Sequence, residues 1–248
     1  MKYLVTGSTG NLARQIVDRL ADAGDDMLQV DVHEPDARHG AFEQLDVTDH
    51  ERVDELVGSF RPDRIIHMAS LLSVTSEAQP DLAWRVNATA SVALLESAER
   101  HGVRQVFYPS TGATYSGRLP DPLPEDYPQW PENIYGVTKV AVERAGAYFA
   151  ARRGVDFRSV RLPMVISPYA PEGAVSAYAS HAFGAAVRGE RFVFPVEPGV
   201  GISTIYVADV VTGILQLLDA PETVLTRRVY NLHAFAPSAG DIAAAIAK

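Results

Sequence analysis

The sequence predicts an α/β protein, a doubly wound parallel sheet with a smaller C-terminal lobe, and three observations carry that expectation. Short, continuously apolar runs alternate with amphipathic stretches from one end of the chain to the other, the pattern of βαβ units whose strands are buried on both faces. The first apolar run leads straight into the glycine-rich turn "TGSTGNLA" (6–13) and then into an amphipathic segment. Finally, 248 residues suffice for one large core.

Taken in order, the strand-like runs are 2–6 (KYLVT), 27–32 (MLQVDV), 42–47 (FEQLDV), 64–69 (RIIHMA), 104–109 (RQVFYP), 157–162 (FRSVRL), 203–207 (STIYV) and 228–232 (RVYNL). Helix-like stretches fall near 11–23, 49–59, 80–101, 134–153, 176–189, 209–219 and 238–247. The alternation loosens after about residue 163, so residues 1–163 are expected to form a nucleotide-binding unit. Residues 164–248 are expected to form a smaller substrate-binding lobe interleaved with the last strands. Proline-rich loops at 117–133 and 168–174 interrupt the pattern, and long loops in a compact unit usually serve a site.

Composition excludes several classes. The net charge is −9 with no basic block, which speaks against nucleic acid and anionic membrane as partners. No apolar run approaches the roughly 18 residues of a membrane span. The first residues have the pattern of a strand and not of a signal peptide. The chain has no cysteine, so neither disulfides nor thiolate metal sites are available. The seven histidines show no paired ligand spacing, and no metal site is expected. His67, Trp84 and Trp130 are expected to be packing residues. A cytoplasmic protein fits these features.

The turn "GSTGNLA" has the spacing G-x-x-G-x-x-A. Gly7 permits a tight turn out of the first strand, and Gly10 lets the backbone approach a pyrophosphate. Ala13 lets the helix pack closely on the strand, so a phosphate meets free N–H groups and the positive end of that helix. The second strand ends at Asp31, about 20 residues further on, where an acid accepts hydrogen bonds from an adenosine ribose and repels a 2′-phosphate. NAD is therefore favoured over NADP, although Arg38 lies near enough in sequence to leave NADP open.

In "IYGVTKVAVE" (134–143), Tyr135 and Lys139 stand at i and i+4 on one helix face. A free tyrosine, with a pKa of about 10, is a poor base at neutral pH. A neighbouring ammonium favours the phenolate, turning the pair into a general base for a hydroxyl or a general acid for a carbonyl. Lys139 is also the one internal lysine among three. Arginine, which supplies the other internal cations, would not serve in its place, because its charge is fixed and its shape differs. Some 24 residues upstream, the strand in "VFYPSTGATYS" ends at Ser110 and Thr111, hydroxyls placed to hold a substrate oxygen against the tyrosine.

With these residues in hand, the chain resembles the extended short-chain dehydrogenase/reductases, the NAD-dependent epimerase/dehydratase superfamily with a Rossmann fold. The glycine turn, the acid of the second strand, "LDVTD" with Asp46, "HMAS" (67–70), Asn87, the Ser/Thr strand end and "YGVTK" occur in that family's order. Within it, "HMASLLSVTSEAQPDLAWRVN" (67–87), "PST" (109–111), "IYGVTKVAVE" and "RSVRLPMVIS" (158–167) are most similar to the short-chain type of L-threonine 3-dehydrogenase. The resemblance implies NAD binding by Gly7, Gly10, Asn11, Leu12, Asp31, Asp46, Val47, Ala69, Asn87, Tyr135 and Lys139. It implies Tyr135 as base, Lys139 as its electrostatic partner and Thr111 as hydroxyl helper with Ser110 adjacent. It further implies oxidation of the secondary alcohol of a small substrate, and a homodimer built on the helices at 80–101 and 134–153.

For an amino-acid substrate, Ser73 and Thr75 of the "LLSVTSE" loop and Ser176 of the "GAVSAYA" loop are the candidate contacts. The chain departs from the family pattern at Ala13, where a third glycine is usual, and at Ser116, where a glycine is common. Val175, Ser176 and Ala177 replace a Thr-Thr-Asp run, which removes an acid from a substrate-facing loop. A sugar or sugar-nucleotide enzyme (epimerase, dehydratase or uronate dehydrogenase) would share every cofactor motif. A non-catalytic dinucleotide sensor would be expected to lack the Tyr or the Lys.

Overall fold

The computed structural model describes residues 1–35, 39–117, 119–170 and 177–247. Seven strands form one sheet in the order β3 (Ala41–Gln44), β2 (Asp26–Asp31), β1 (Lys2–Thr6), β4 (Arg64–His67), β5 (Gln105–Thr111), β6 (Asp156–Leu162) and β9 (Val229–Asn231). Every neighbouring pair is parallel. Parallel pairing forces each connection to cross over a face of the sheet, and helices cover both faces. The Rossmann-type α/β fold expected from the alternation is the observed one.

Strand side chains alternate between two cores. Leu4, Val30, Ile65, Val106 and Tyr108 point to the side of α2 (His50–Phe60), α5 (Ala90–Arg100) and α6 (Ile134–Arg152). Tyr3, Val5, Ile66, Phe107 and Val160 point to the side of α1 (Asn11–Asp22) and α8 (Val207–Asp219). Burial on both sides explains why these strands lack a polar face. The order reverses between β1 and β4, and in open α/β sheets ligands bind outside the carboxyl ends of strands at such a switch point.

The chain after Leu162 divides. Helix α8 and strand β9 return to the large sheet. Strands β7 (Met164–Ile166) and β8 (Thr204–Tyr206) pair with each other in a separate two-stranded sheet. Helices α7 (Tyr178–Val187) and α9 (Ala239–Ile246) close a third, smaller core around Met164, Tyr178 and Ile242. The strand-like run 203–207 thus belongs to the lobe and not to the main sheet, and its partner β7 was not apparent from the sequence.

The expected helix at 80–101 is three segments: α4 (Pro80–Ala83), a π-helical stretch Trp84–Thr89 and α5, preceded by α3 (Ser73–Ala78). Side chains take over the carbonyl at the centre of the widened turn. The Asn87 oxygen accepts from the Ser91 hydroxyl at 2.7 Å and the Tyr108 hydroxyl at 3.4 Å. π-bulges of this kind concentrate at functional sites.

Candidate active site

Two clusters converge at the carboxyl edge of the sheet. The first is built on the switch point. Gly7 has φ +64°, and a Cβ there would lie 2.5 Å from the Ala69 nitrogen and 2.6 Å from its Cα. The turn after β1 therefore rests directly on the loop after β4, and only glycine fits. Gly10 is the N-cap of α1 and offers no side chain to cap it; the first turn of that helix carries no acid. Its leading N–H groups remain free for an anion. The hydroxyl of Ser8, buried in the same turn, has no protein partner. A diphosphate fits this cradle: backbone donors, no repelling carboxylate in the helix's first turn and one orphaned hydroxyl.

Asp31 ends β2 beside the turn and tethers it. Its carboxylate accepts from the Thr9 N–H at 3.0 Å, the Thr9 hydroxyl at 2.9 Å and the His33 N–H at 3.0 Å. A carboxylate offers about four acceptor positions, so capacity for a ribose hydroxyl is left. Asp46 is exposed after β3, where it accepts from the Thr48 N–H and hydroxyl, and Val47 beside it is buried. Leu12 packs on the core under α1. The Asn11 amide oxygen accepts from Ser167 of the lobe at 2.6 Å, a contact sequence reasoning missed.

Asn87 is wholly buried, and its amide is committed to protein. Its Oδ1 accepts from the Leu71 N–H at 2.7 Å, and its Nδ2 donates to the Leu71 carbonyl at 3.0 Å. It therefore shapes the 69–71 loop from behind.

The second cluster follows β5. Thr111 ends the strand, its hydroxyl accepting from the Ala113 N–H at 3.2 Å and lying near enough to the phenol of Tyr135, near the start of α6, to favour its ionised form. One turn on, Lys139 is buried; its ammonium donates to the Pro109 carbonyl at 2.9 Å and lies 4.3 Å from the Tyr108 ring and 5.4 Å from the Tyr135 ring. Gly136 permits the close approach of α6, since a Cβ there would meet the Ala113 carbonyl oxygen at 2.2 Å.

The proton balance differs from the expectation. Burial pushes the Tyr135 phenol up to about 12, with the Thr111 hydrogen bond opposing it. Burial also pushes Lys139 down to about 7, with Glu143 opposing. Desolvation thus outweighs the charge–charge attraction that the spacing suggested.

Ser110 is not brought to this cluster. Successive strand residues face opposite sides, and its hydroxyl donates to the Glu143 carboxylate instead. This corrects its placement beside Thr111 as a helper. His67 bears out the packing expectation. The Ser91 hydroxyl donates to the Asn87 carbonyl, so His67 Nε2–H donates to Ser91 Oγ at 2.9 Å, and Nδ1 accepts from Thr6 at 2.6 Å. Burial and the nearby Lys139 hold it neutral, with its pKa pushed down to about 3.

Ser73 and Thr75 lie on α3, whose Glu77 accepts from the Ile134 N–H at the head of α6 at 2.6 Å. Ser176, Val175 and Arg38 fall outside the described residues. Ala177 is buried at the N-cap of α7. Trp84 and Trp130, expected to pack inside, are exposed at 44% and 77%. Among the described residues no cluster of His, Asp or Glu has the makings of a metal site, and no helix is long and apolar enough to cross a membrane.

A phosphate cradle lies at the switch point and a Thr–Tyr–Lys set two strands away, and comparison with known proteins gives the family. The profile of the NAD dependent epimerase/dehydratase family matches residues 3–232. The chain belongs to that family. An uncharacterized epimerase/dehydratase of Staphylococcus aureus (strain MRSA252) is 36% identical over 242 residues, covering 94% of this chain and 75% of that protein. Among solved structures, L-threonine 3-dehydrogenase from Trypanosoma brucei is 35% identical with a TM-score of 0.90, covering 96% of this chain and 77% of its own. A GalE-like L-threonine dehydrogenase from Cupriavidus necator is 30% identical with a TM-score of 0.94, covering 99% and 82%. The protein is thus an NAD-dependent enzyme of the epimerase/dehydratase type and resembles the extended short-chain dehydrogenase/reductases, as the motifs implied.

Proposed function

We propose that the protein is an NAD-dependent dehydrogenase that oxidises the secondary alcohol of a small substrate, with a reaction like that of the L-threonine 3-dehydrogenases it resembles. The observation that carries this reading is Tyr135 beside the Thr111 strand end, with the buried Lys139 ammonium 5.4 Å from its ring. Bound NAD supplies the acceptor for the hydride that leaves the carbinol carbon. Thr111 holds the substrate oxygen, and Tyr135 takes its proton. With one proton held between phenol and amine, the phenolate–ammonium arrangement is reached by moving that proton from Tyr135 to Lys139. Gly7, Gly10, Asn11 and Leu12 are assigned to the diphosphate, and Asp31 to the adenosine ribose. Ser73 and Thr75 are assigned to the substrate; neither hydroxyl has a hydrogen-bond partner among the described residues.

A second reading, a sugar or sugar-nucleotide enzyme of the same family, is favoured by one feature. Ala177 stands where the threonine enzymes carry an acid, and an amino-acid ammonium buried without a counter-charge is costly. Following NADH formation over L-threonine, hydroxy acids lacking the amine, and uronates at equal concentration separates the two. Preference for L-threonine that is lost in Ser73→Ala supports the first reading. No NADH with any amino or hydroxy acid, alongside turnover of a uronate or nucleotide sugar, supports the second.

The same reading makes the protein a homodimer through α5 and α6. These helices pack on each other, and Val137 and Tyr148 of α6 and Trp84 of the neighbouring π-helical stretch are exposed. Analytical ultracentrifugation tests it: a dimer that Tyr148→Glu dissociates agrees with the assignment, and a concentration-independent monomer refutes it.

A further inference from the structure

One turn beyond Lys139 on α6 lies Glu143, a carboxylate with no exposure at all. Charged groups are almost never buried this completely unless paired, and Glu143 is saturated. Arg161 of β6 grips it through Nε at 3.0 Å and through a terminal nitrogen at 2.8 Å. Gln129 of the proline-rich loop donates to it at 3.0 Å, and Ser110 donates its hydroxyl. The remaining nitrogen of Arg161 donates to the Tyr115 hydroxyl at 2.7 Å, the Glu125 carbonyl at 3.0 Å and the Asn231 side chain at 3.3 Å.

The groups facing Lys139 can be named from each side. Helix α6 brings Tyr135 and Glu143, β5 brings Tyr108, and β4 brings the neutral His67. The π-helical stretch brings Asn87, which has no charge. Of the charged residues on the segments packed against α6, Glu77 holds the Ile134 N–H, Glu99 pairs with Arg153, Arg100 with Asp54 and Arg158 with Asp156. In the loop over the site, the Glu125 carboxylate is held by the Asn231 N–H. Lys139 and Arg161 against Glu143 leave one surplus positive charge in the buried set, and a phenolate at Tyr135 is the anion that balances it.

We propose that Glu143 is a positioning residue that sets the proton balance of the Tyr135–Lys139 pair, with Arg161 and Ser110 holding its carboxylate in place. This rests on the reading that Tyr135 and Lys139 perform the acid–base step. Removing the carboxylate's charge disfavours the ammonium and favours the phenolate, so both groups lose their protons at lower pH. Removing Arg161 acts in the opposite sense.

The sequence makes the test direct, because Lys2, Lys139 and Lys248 are its only lysines. In protein carrying isotope-labelled lysine, the side-chain resonance that disappears in Lys139→Arg is followed by NMR as pH is varied. Its midpoint is expected to fall by about one pH unit or more in Glu143→Gln, to rise in Arg161→Gln, and to return toward that of the unmodified protein in the double variant. The acid limb of the pH–rate profile is expected to move with it. Glu143→Asp, which keeps the charge, should leave the midpoint nearly in place.

An unmoved midpoint in a folded Glu143→Gln protein overturns the proposal. If that variant does not fold, an unmoved midpoint in Arg161→Gln overturns it instead. Failure of the acid–base reading shows separately: full turnover in Tyr135→Phe removes that reading whatever the lysine titration does.

Discussion

Replacing Gly7 by alanine separates two costs that the structure places at one residue. The left-handed backbone at φ +64° costs a side chain about 1–2 kcal/mol. The new methyl would also lie 2.5–2.7 Å from the Ala69 nitrogen and Cα and the Met68 carbonyl carbon. These are backbone atoms pinned by β4 and by Asn87 and are unable to swing aside. Overpacking of this kind costs about 1–3 kcal/mol, so the total is about 2–5 kcal/mol. For a chain of this size that is a loss of roughly 4–20 °C in Tm. Gly24→Ala is the matched control. Gly24 has φ +76° with nothing within 4 Å, so it incurs only the backbone term. Thermal and urea denaturation of both variants give the contact term by difference, and calorimetric titration should show NAD affinity reduced at least tenfold in Gly7→Ala alone. Equal destabilisation of the two variants would refute the close approach of the cofactor turn to Ala69, and unchanged NAD affinity would refute its part in the cradle.

Two further outcomes follow from the same geometry. Asp31→Ser should narrow the preference for NAD over NADP, because it removes both the repulsion of a 2′-phosphate and a charge-assisted hydrogen bond of about 1.5–3 kcal/mol; equal affinity of the unmodified protein for both cofactors would exclude the assignment. His67 is held at about 3 in the folded chain against about 6.5 when free. The unfolded chain therefore binds the extra proton across that window, and stability should drop as pH falls from about 6.5 toward 3, by up to roughly 1.4 kcal/mol per pH unit. Urea midpoints measured at several pH values should show this slope, and His67→Gln should flatten it; an identical slope in the variant would mean that other groups carry it.

Much of this was legible in the sequence because it is local. The strand–turn–helix at 2–22, the acid ending β2 and the one-turn spacing of Tyr135 and Lys139 depend on residues close in the chain, and each lies where the pattern put it. What escaped depends on long-range packing. Which side of β5 Ser110 faces is decided by its pairing with β6 and by the Glu143 carboxylate 33 residues away. Asn87 has the composition of a ligand-binding residue, yet its amide is consumed by a loop 16 residues earlier. The phenol's pKa went opposite to the spacing argument because an i,i+4 lysine says nothing about how dry the helix face is. Strand β7 is short and follows a proline, so its pairing with β8 had no signature of its own. The buried Glu143–Arg161 pair had a faint one: an acid four residues past Lys139 on the apolar face of α6, and an arginine inside a strand otherwise read as core.

The central claim, that Tyr135 accepts the proton of an alcohol while NAD takes its hydride, is tested most directly by the steady-state rate of NADH formation in Tyr135→Phe on the best substrate of the screen. The hydroxyl is the only group removed, and its loss is not expected to disturb the cradle at Gly7 or the tether at Asp31. Turnover is predicted to fall by about 10²–10⁴-fold, the usual contribution of a general base, with NAD affinity within a few-fold of the unmodified protein. Turnover close to that of the unmodified protein would contradict the account.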